Sequence, residues 1–314
     1  MVKLESERLY IRDLRMEDLD DHHRLISNPD VMYYIRDIQT HSLDESKANL
    51  IFSIEESKKE ERVCYFFGMF LKDTDEHIGS IGFTVLEKGD SGNVELGYFI
   101  HEKFWRKGYT YEASKVVVKY AFDLGFHKIT TGCVYNNVNS ESIMKKLGMY
   151  KEGHLYRHTF INGKWYDRVI YGLYNPRFLT KVEHQRLTVV KLAELLEAIP
   201  YHFDASTSAF IYGVDFEMND LDIVFLNHME NEVRQLFSGY KISKTYELDD
   251  LLHFKVEFEN EIVHCLFYKD DSNFYREESI KVIHHVPVKY KSIDYYKRHC
   301  KSQKMLDAIK KVRP

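Results

Sequence analysis

Thirteen of the 15 glycines fall within residues 1–178, and only Gly213 and Gly239 lie beyond. Glycine supplies backbone conformations that other residues resist, so its distribution tracks tight turns and close backbone approaches. The halves are therefore expected to be different folds rather than a repeat. A length of 314 residues agrees with two domains. Lysine plus arginine number 44 against 49 acidic residues, a net charge of −5. That balance argues against a general nucleic-acid binder. No apolar run approaches the ~20 residues that cross a bilayer, and the charged start, residues 1–8, has no signal-peptide core. Cys64, Cys133, Cys265 and Cys300 lie far apart without a C-x-x-C pair, which predicts free thiols in a reducing cytoplasm and no structural zinc.

Polar–apolar alternation predicts a strand over 7–13, followed by helices near 16–27 and 43–60. Strands over 64–71, 77–85 and 93–100, with turn chemistry at 73–75 and 87–92, read as an antiparallel meander. A helical pattern runs through Ala113, Val117 and Ala121, then a strand over 128–135 and a short helix over 140–147. Strands over 150–161 and 164–174 flank Asn162-Gly163, a strong hairpin signal. Pro176 and the polar stretch 181–186 mark a boundary. Beyond it come a helix at 187–196, a strand at 223–226, a helix at 230–237, strands at 252–258 and 262–268, and a helix over 293–312. Residues 281–314 hold ten basic and two acidic side chains, against nine and twenty in 179–280. A solvated basic helix docked on an acidic partner surface accounts for that tail, with an anion-binding role as the alternative.

The segment 94–113 reads as a strand, a basic turn with Gly108, and a helix. Such a turn offers unpaired N–H groups and a positive dipole end, a natural diphosphate cradle, with Arg106 and Lys107 adding charge. Five ordered places carry a resemblance. They are the opening strand 4–12, Glu95-Leu96-Gly97-Tyr98, the loop and helix 105–113, Asn137-Val138-Asn139-Ser140 leading to Lys146-Leu147-Gly148-Met149, and Gly163-Lys164-Trp165-Tyr166-Asp167. Together, over residues 4–178, they resemble the GNAT acetyltransferase superfamily, in particular the branch containing the ribosomal-protein N-terminal alanine acetyltransferases. The resemblance implies a mixed α/β (α+β) fold whose central sheet splays between its fourth and fifth strands. It also implies acetyl-CoA as cofactor and direct acetyl transfer to an amine in a ternary complex.

The same resemblance assigns roles. Glu95 stands where a carboxylate helps to deprotonate the amine, with a surface-strand role as the alternative. Backbone N–H groups near Tyr98, Phe99 and Ile100 would receive the oxyanion. Trp105, Arg106, Lys107, Gly108, Tyr109 and Thr110 would hold the diphosphate, with Asn137, Ser140 and Lys146 as further cofactor contacts. The tyrosine that many members place seven residues after the motif asparagine is Met144 here. Ser140 is then the candidate acid or CoA contact, and equally the N-cap of the helix that follows. Trp105 replaces the loop's usual Gln or Arg, and Thr110 its last small residue.

In the second half, Asp220 and Asp222 alternate onto one strand face, where two carboxylates suit a divalent metal. Ser206 lies 14 positions upstream of Asp220, after Ala205. Residues 185–314 thereby resemble nucleotidyltransferase-fold proteins close to antibiotic nucleotidyltransferases, implying a nucleoside triphosphate with Mg2+. Ala205 replaces the family's turn glycine, His264 stands where a third acid would serve, and Glu257 or Glu259 are substitutes. The alternative is a module that only grips substrate or dimerises. His22-His23 and His284-His285 read as surface or turn residues.

The expected organisation is thus an acetyltransferase domain over 1–178, a linker over 179–184 and a nucleotidyltransferase-like α/β domain over 185–314. The expected acceptor is a primary amine, either a small cation such as an aminoglycoside or polyamine, or a protein N-terminus. The acidic segment 179–280 favours the cation. Nucleic acid and membrane are not expected partners; a homodimer is allowed.

Overall fold

The computed structural model describes residues 1–88, 92–248, 250–269 and 277–312. The chain divides into two compact units, Met1–Phe178 and Leu179–Pro314. Among the described residues, no helix is long and apolar enough to cross a membrane.

In the first unit the elements are β1 (Lys3–Glu5), β2 (Leu9–Asp13), α1 (Leu19–Ile26), α2 (Leu43–Lys58), β3 (Cys64–Leu71), β4 (His77–Glu87), β5 (Asn93–Ile100), α3 (Tyr109–Asp123), β6 (Lys128–Val134), α4 (Val138–Lys146), β7 (Tyr150–Ile161) and β8 (Lys164–Tyr174). One sheet orders them β1-β2-β3-β4-β5-β6-β8-β7. Strands β5 and β6 pair in parallel, because α3 carries the chain over the sheet between them. Leu9, Ile11, Phe67, Phe83 and Leu96 from the strands pack with Ala113, Val117 and Ala121 of α3 in the main core. The Asn162-Gly163 turn has both residues at positive φ (48° and 80°), as a tight hairpin requires. Residues 89–91 of the expected turn at 87–92 lie outside the described residues.

Two expectations fail here. The strand read over 7–13 begins only at Leu9, and the opening strand 4–12 is broken into β1 and β2, because Ser6 and Arg8 turn away from the ladder to bind Glu112 on α3. His22 and His23 are not surface residues. His22 is 3% exposed, and the two imidazoles meet Asn49 Oδ1 (2.9 Å) and Ser46 Oγ (2.8 Å) between α1 and α2.

The second unit contains α5 (Lys181–Leu195), β9 (Tyr201–Phe203), α6 (Ala205–Tyr212), β10 (Leu221–Leu226), α7 (Glu230–Leu236), β11 (Lys241–Ile242), β12 (Tyr246–Leu248), β13 (Leu251–Phe258), β14 (Glu261–Tyr268), β15 (Glu278–Ile283), β16 (Val286–Lys291), α8 (Ile293–His299) and α9 (Gln303–Lys311). Its mixed sheet runs β11-β13-β14-β10-β9-β16-β15, with β12 beside β13. The pairs β10–β14 and β9–β16 are parallel.

Residues 181–184, expected as linker, are the first turn of α5. Thr180 caps it by accepting from the Glu183 N–H (3.3 Å), while the Glu183 carboxylate accepts from the Thr180 N–H (2.8 Å). That Thr-x-x-Glu capping box is visible in the sequence and outweighs the polar composition. The basic tail is no continuous helix either. Residues 278–291 form the β15–β16 hairpin, turning at His284 and His285 with φ 47° and 64°. The last helix breaks after His299, where extended Cys300 and a new cap at Ser302 start α9.

Candidate active site

Strands β5 and β6 pair only from Asn93↔Lys128 to Glu95↔Thr130, then part. On its other edge β5 stays paired with β4 up to Gly79↔Ile100. The His101 N–H donates to the Ile78 carbonyl there, so alternation directs the Tyr98 and Ile100 amides toward the edge that β6 has left. Thr131 Oγ1 donates to the Leu96 carbonyl (2.8 Å) on that same edge. The result is a slot between two strands with main-chain donors along one side.

Side chains of β5 alternate between its two faces. Glu95, Gly97 and Phe99 share one face; Leu96, Tyr98 and Ile100 share the other. A Cβ added to Gly97 would meet nothing within 4 Å, so the space beside Glu95 is open. Phe99 packs against the buried cluster of Leu25, Ile26 and Met32. Glu95 is half exposed, and its carboxylate lies 3.6 Å from Arg168 Nη2 of β8. Arg168 reaches across β6 at Gly132, where a Cβ would sit 3.2 Å from Arg168 Nε and 2.8 Å from Ile170 Cδ1. Neither Arg168 nor Gly132 carries a functional signal in the sequence; only a register that places β8 beside β6 brings them to the site. Nearby, the connection from α1 to α2 brings the Tyr33 phenol within 3.5 Å of the Tyr166 phenol on β8.

The opposite face carries Tyr98. Its hydroxyl lies 3.1 Å from Ser140 Oγ and donates to the Ser140 carbonyl at 3.2 Å. Burial pushes the Tyr98 phenol well above its ordinary range, so it stays protonated at neutral pH. Ser140 is not the N-cap of α4. Asn137 is, its Oδ1 accepting from the Ser140 N–H at 3.2 Å, which leaves the serine hydroxyl free to face Tyr98. Cys133 lies next to this pair, and burial raises its thiol to about 11. Met144 is fully buried in the core, and Lys146 is exposed in the last turn of α4.

The loop before α3 is short and exposed. Arg106 and Gly108 have φ of 60° and 82°, and Gly108 serves as the N-cap of α3 without a side chain to fill the role. The Glu112 N–H donates to the Gly108 carbonyl (3.0 Å), so the amides of Tyr109, Thr110 and Tyr111 begin the helix without an intrahelical acceptor. Arg106 and Lys107 are exposed. Thr110 points inward and is 9% exposed. Trp105 faces back, its indole N–H donating to the Ile100 carbonyl at 2.9 Å.

The family description "Acetyltransferase (GNAT) domain" matches residues 8–150. Uncharacterized N-acetyltransferase YoaA of Bacillus subtilis is 31% identical over 175 residues, which cover 55% of this chain and 97% of that protein. The chain belongs to the GNAT acetyltransferase family. Probable N-acetyltransferase YjcK of the same organism is 29% identical over 178 residues, 55% of this chain and 97% of its own length. The ribosomal protein uS5-alanine N-acetyltransferase of Escherichia coli is 31% identical over 114 residues, covering 36% of this chain and 59% of that enzyme. Among solved structures, the ribosomal-protein-S5-alanine acetyltransferase of Vibrio fischeri shares the fold, with a TM-score of 0.51 at 19% identity over 57% of this chain and all of that one. A GNAT acetyltransferase domain thus occupies the part of the chain where β5, its slot and α3 lie.

Outside the GNAT domain, Asp220, Asp222 and His264 converge, their ligand atoms all within 4.8 Å of one another. Parallel pairing sets His264 of β14 directly beside Asp222 of β10. His264 Nδ1 lies 3.2 Å from Asp222 Oδ1, and its Nε2 is 2.9 Å from His253 Nδ1. Asp220 is held by Lys255 Nζ at 3.0 Å. The substitutes Glu257 and Glu259 take other partners, Lys241 (2.6 Å) and Lys191 (2.7 Å), so the third group of the cluster is a histidine. Ser206 is half-buried in the first turn of α6, after Ala205 at φ 48°.

Proposed function

We propose that residues 1–178 transfer the acetyl group of acetyl-CoA directly to a primary amine. The observation that carries this reading is the slot between β5 and β6, with Glu95 on one face, the Tyr98–Ser140 pair on the other, and the uncapped end of α3 following β5. Acetyl-CoA, when bound, supplies the thioester carbon as electrophile and a thiolate as leaving group. Glu95, steadied by Arg168, takes a proton from the incoming ammonium directly or through water. The amides of Tyr98 and Ile100 donate to the oxyanion that forms at the thioester carbonyl. As the C–S bond breaks, Ser140, beside the protonated Tyr98, would pass its proton to the departing sulfur and be reprotonated, through solvent, by the second proton that the acylated nitrogen sheds. Little acid strength is needed, because a thiol titrates near about 8.5.

The acceptor is a small cationic amine or a protein N-terminus. The exposed Glu95 carboxylate and the open space over Gly97 support an amine approaching from that face. Release of free thiol from acetyl-CoA, screened across aminoglycosides, polyamines and N-terminal peptides, tests the reading; no acceptor turned over and no heat of binding with acetyl-CoA would sink it. Glu95→Gln is expected to lower kcat at pH 7 by roughly a hundredfold, the lower end of general-base effects. The loss should shrink near pH 9, and a loss independent of pH would reduce Glu95 to a surface ion pair.

A second reading concerns the Asp220–Asp222–His264 cluster, whose convergence favours a divalent cation in the second unit. Two carboxylates and an imidazole suit Mn2+ or Zn2+ better than Mg2+. His264 would ligate through Nδ1, with His253 orienting the ring from the other nitrogen. Lys255 would have to release Asp220. That donor set weakens the case for Mg2+ and nucleotidyl transfer. Melting with and without Mn2+ tests the cation directly: a rise in the wild type that Asp222→Asn abolishes is expected, and equal melting of both removes the site.

A further inference from the structure

The loop that begins α3 lacks the basic or amide side chain that its family pattern places first. Trp105 stands there, and its indole N–H is committed to the Ile100 carbonyl, back toward the strand. A guanidinium reaches the same helix end from the opening of the chain. Arg8 precedes β2, and its backbone N–H and Nε both donate to the Glu112 carboxylate at 2.7 Å. Ser6 Oγ donates to that carboxylate at 2.7 Å as well. Burial works against the Glu112 charge, yet these bonds hold its carboxyl below the usual range. The clamp fixes the guanidinium plane over the Tyr109 ring, 4.3 Å from its centroid, and Nη1 donates to the Lys107 carbonyl at 3.2 Å.

One nitrogen of the fork is left over. Nη2 has no hydrogen-bond partner among the described residues, and it is the atom nearest to where a Cβ on Gly108 would stand, at 3.5 Å. It thus faces the left-handed N-cap of a 15-residue helix whose first amides are uncapped. A clamp serving only to tie β2 to α3 needs Nε and the backbone N–H. The further nitrogen, half exposed and aimed at the loop, is donor capacity the fold does not use. Arginine is suited to phosphate oxygens because its donors are planar, fixed and permanently charged.

Resting on the acetyl-CoA reading above, we propose that Arg8 is a cofactor-binding residue whose Nη2 joins the first-turn amides of α3 in holding the diphosphate. Strand β2's leading edge thereby supplies the positive group that Trp105 does not. Glu112 is its positioning residue.

Calorimetry on the full chain tests this without knowledge of the acceptor. Arg8→Gln should weaken CoA by about tenfold or more, the size of a lost charged hydrogen bond. Competition should weaken by a similar factor when inorganic diphosphate displaces CoA. Competition by pantetheine, which lacks the diphosphate, should be unchanged. Equal weakening of diphosphate and pantetheine would show a merely structural clamp and overturn the proposal, as would unchanged CoA binding. Arg8→Lys keeps the charge and serves if the glutamine variant fails to fold: a smaller loss confined to CoA and diphosphate supports the proposal, and a loss extending to pantetheine overturns it. A wild-type chain that binds no CoA would fail the underlying reading as well, whereas normal wild-type binding with an insensitive variant removes Arg8 alone.

Discussion

Each unit contains a strand that runs through a turn into a helix, and the two turns are finished in opposite ways. In the first, β5 leads to Gly108 at φ 82°, which caps α3 without a side chain. In the second, β9 leads to Asp204, whose carboxylate accepts from the Ala205 N–H at 2.7 Å. Ala205 then holds φ 48°, a conformation that costs an L-residue what glycine would avoid. The first helix end is left open, with positive groups around it. The second already has an anion of its own at the place where a phosphate would bind. The difference teaches that a strand–turn–helix outline does not make an anion site; the residue at the cap does.

The largest expected effect comes from closing the open turn. Gly108→Val forces a β-branched residue into the left-handed region and tilts the first amides of α3. Affinity for acetyl-CoA should fall by roughly a hundredfold, about 2.8 kcal/mol at 1.4 kcal/mol per tenfold. Titration of the folded variant measures it, and near-normal affinity would mean that the cradle does not depend on this turn.

Acid should separate the units next. His77 is 4% exposed and lies against Phe70 at 4.7 Å. Burial lowers its pKa from 6.5 to about 3. The unfolded chain therefore binds the proton first. The stability from a neutral His77 is present above about pH 6.5 and is lost as pH falls toward 3, by at most about 1.4 kcal/mol per pH unit. His77→Phe should flatten this loss for the first unit while leaving the second unit's acid profile alone. Hydrogen exchange followed unit by unit between pH 7 and 5 would decide, and an unaltered slope would reject the assignment.

Two smaller changes act on the closed turn. Asp204→Ala should destabilise the second unit by about 1 kcal/mol, the usual worth of an N-cap. Ala205→Gly should stabilise it by about 0.5 kcal/mol, relief of the positive φ being partly offset by glycine's greater freedom when unfolded. Urea midpoints for both variants check the signs. A destabilising Ala205→Gly would show that the turn is unstrained, and that the two helix ends differ only in charge.

Much of the first unit was legible because its signals are local. Alternation in β2, the Asn-Gly turn and the helical pattern of α3 each sit within a dozen residues, and the strand and turn expected around Glu95 and Gly108 are where the structure has them. The second unit was read less well. Strands β15 and β16 carry lysines that read as a basic helix, and their hairpin forms because Tyr290 can pair with Phe203 of β9, far away in sequence.

By itself the sequence determined the family of the first unit, the strand–glycine turn–helix at 94–113, and the Asp-x-Asp of the second unit. Tertiary structure decided what those residues touch. Arg168 meets Glu95 only because β8 lies beside β6 and Gly132 leaves room. Arg8 meets Glu112 across 104 positions of chain. His264 joins Asp222 only through a parallel register. Side-chain chemistry and local turn preference are written along the chain. Partners are not, because a strand pattern states which face is buried but not which strand will lie next to it.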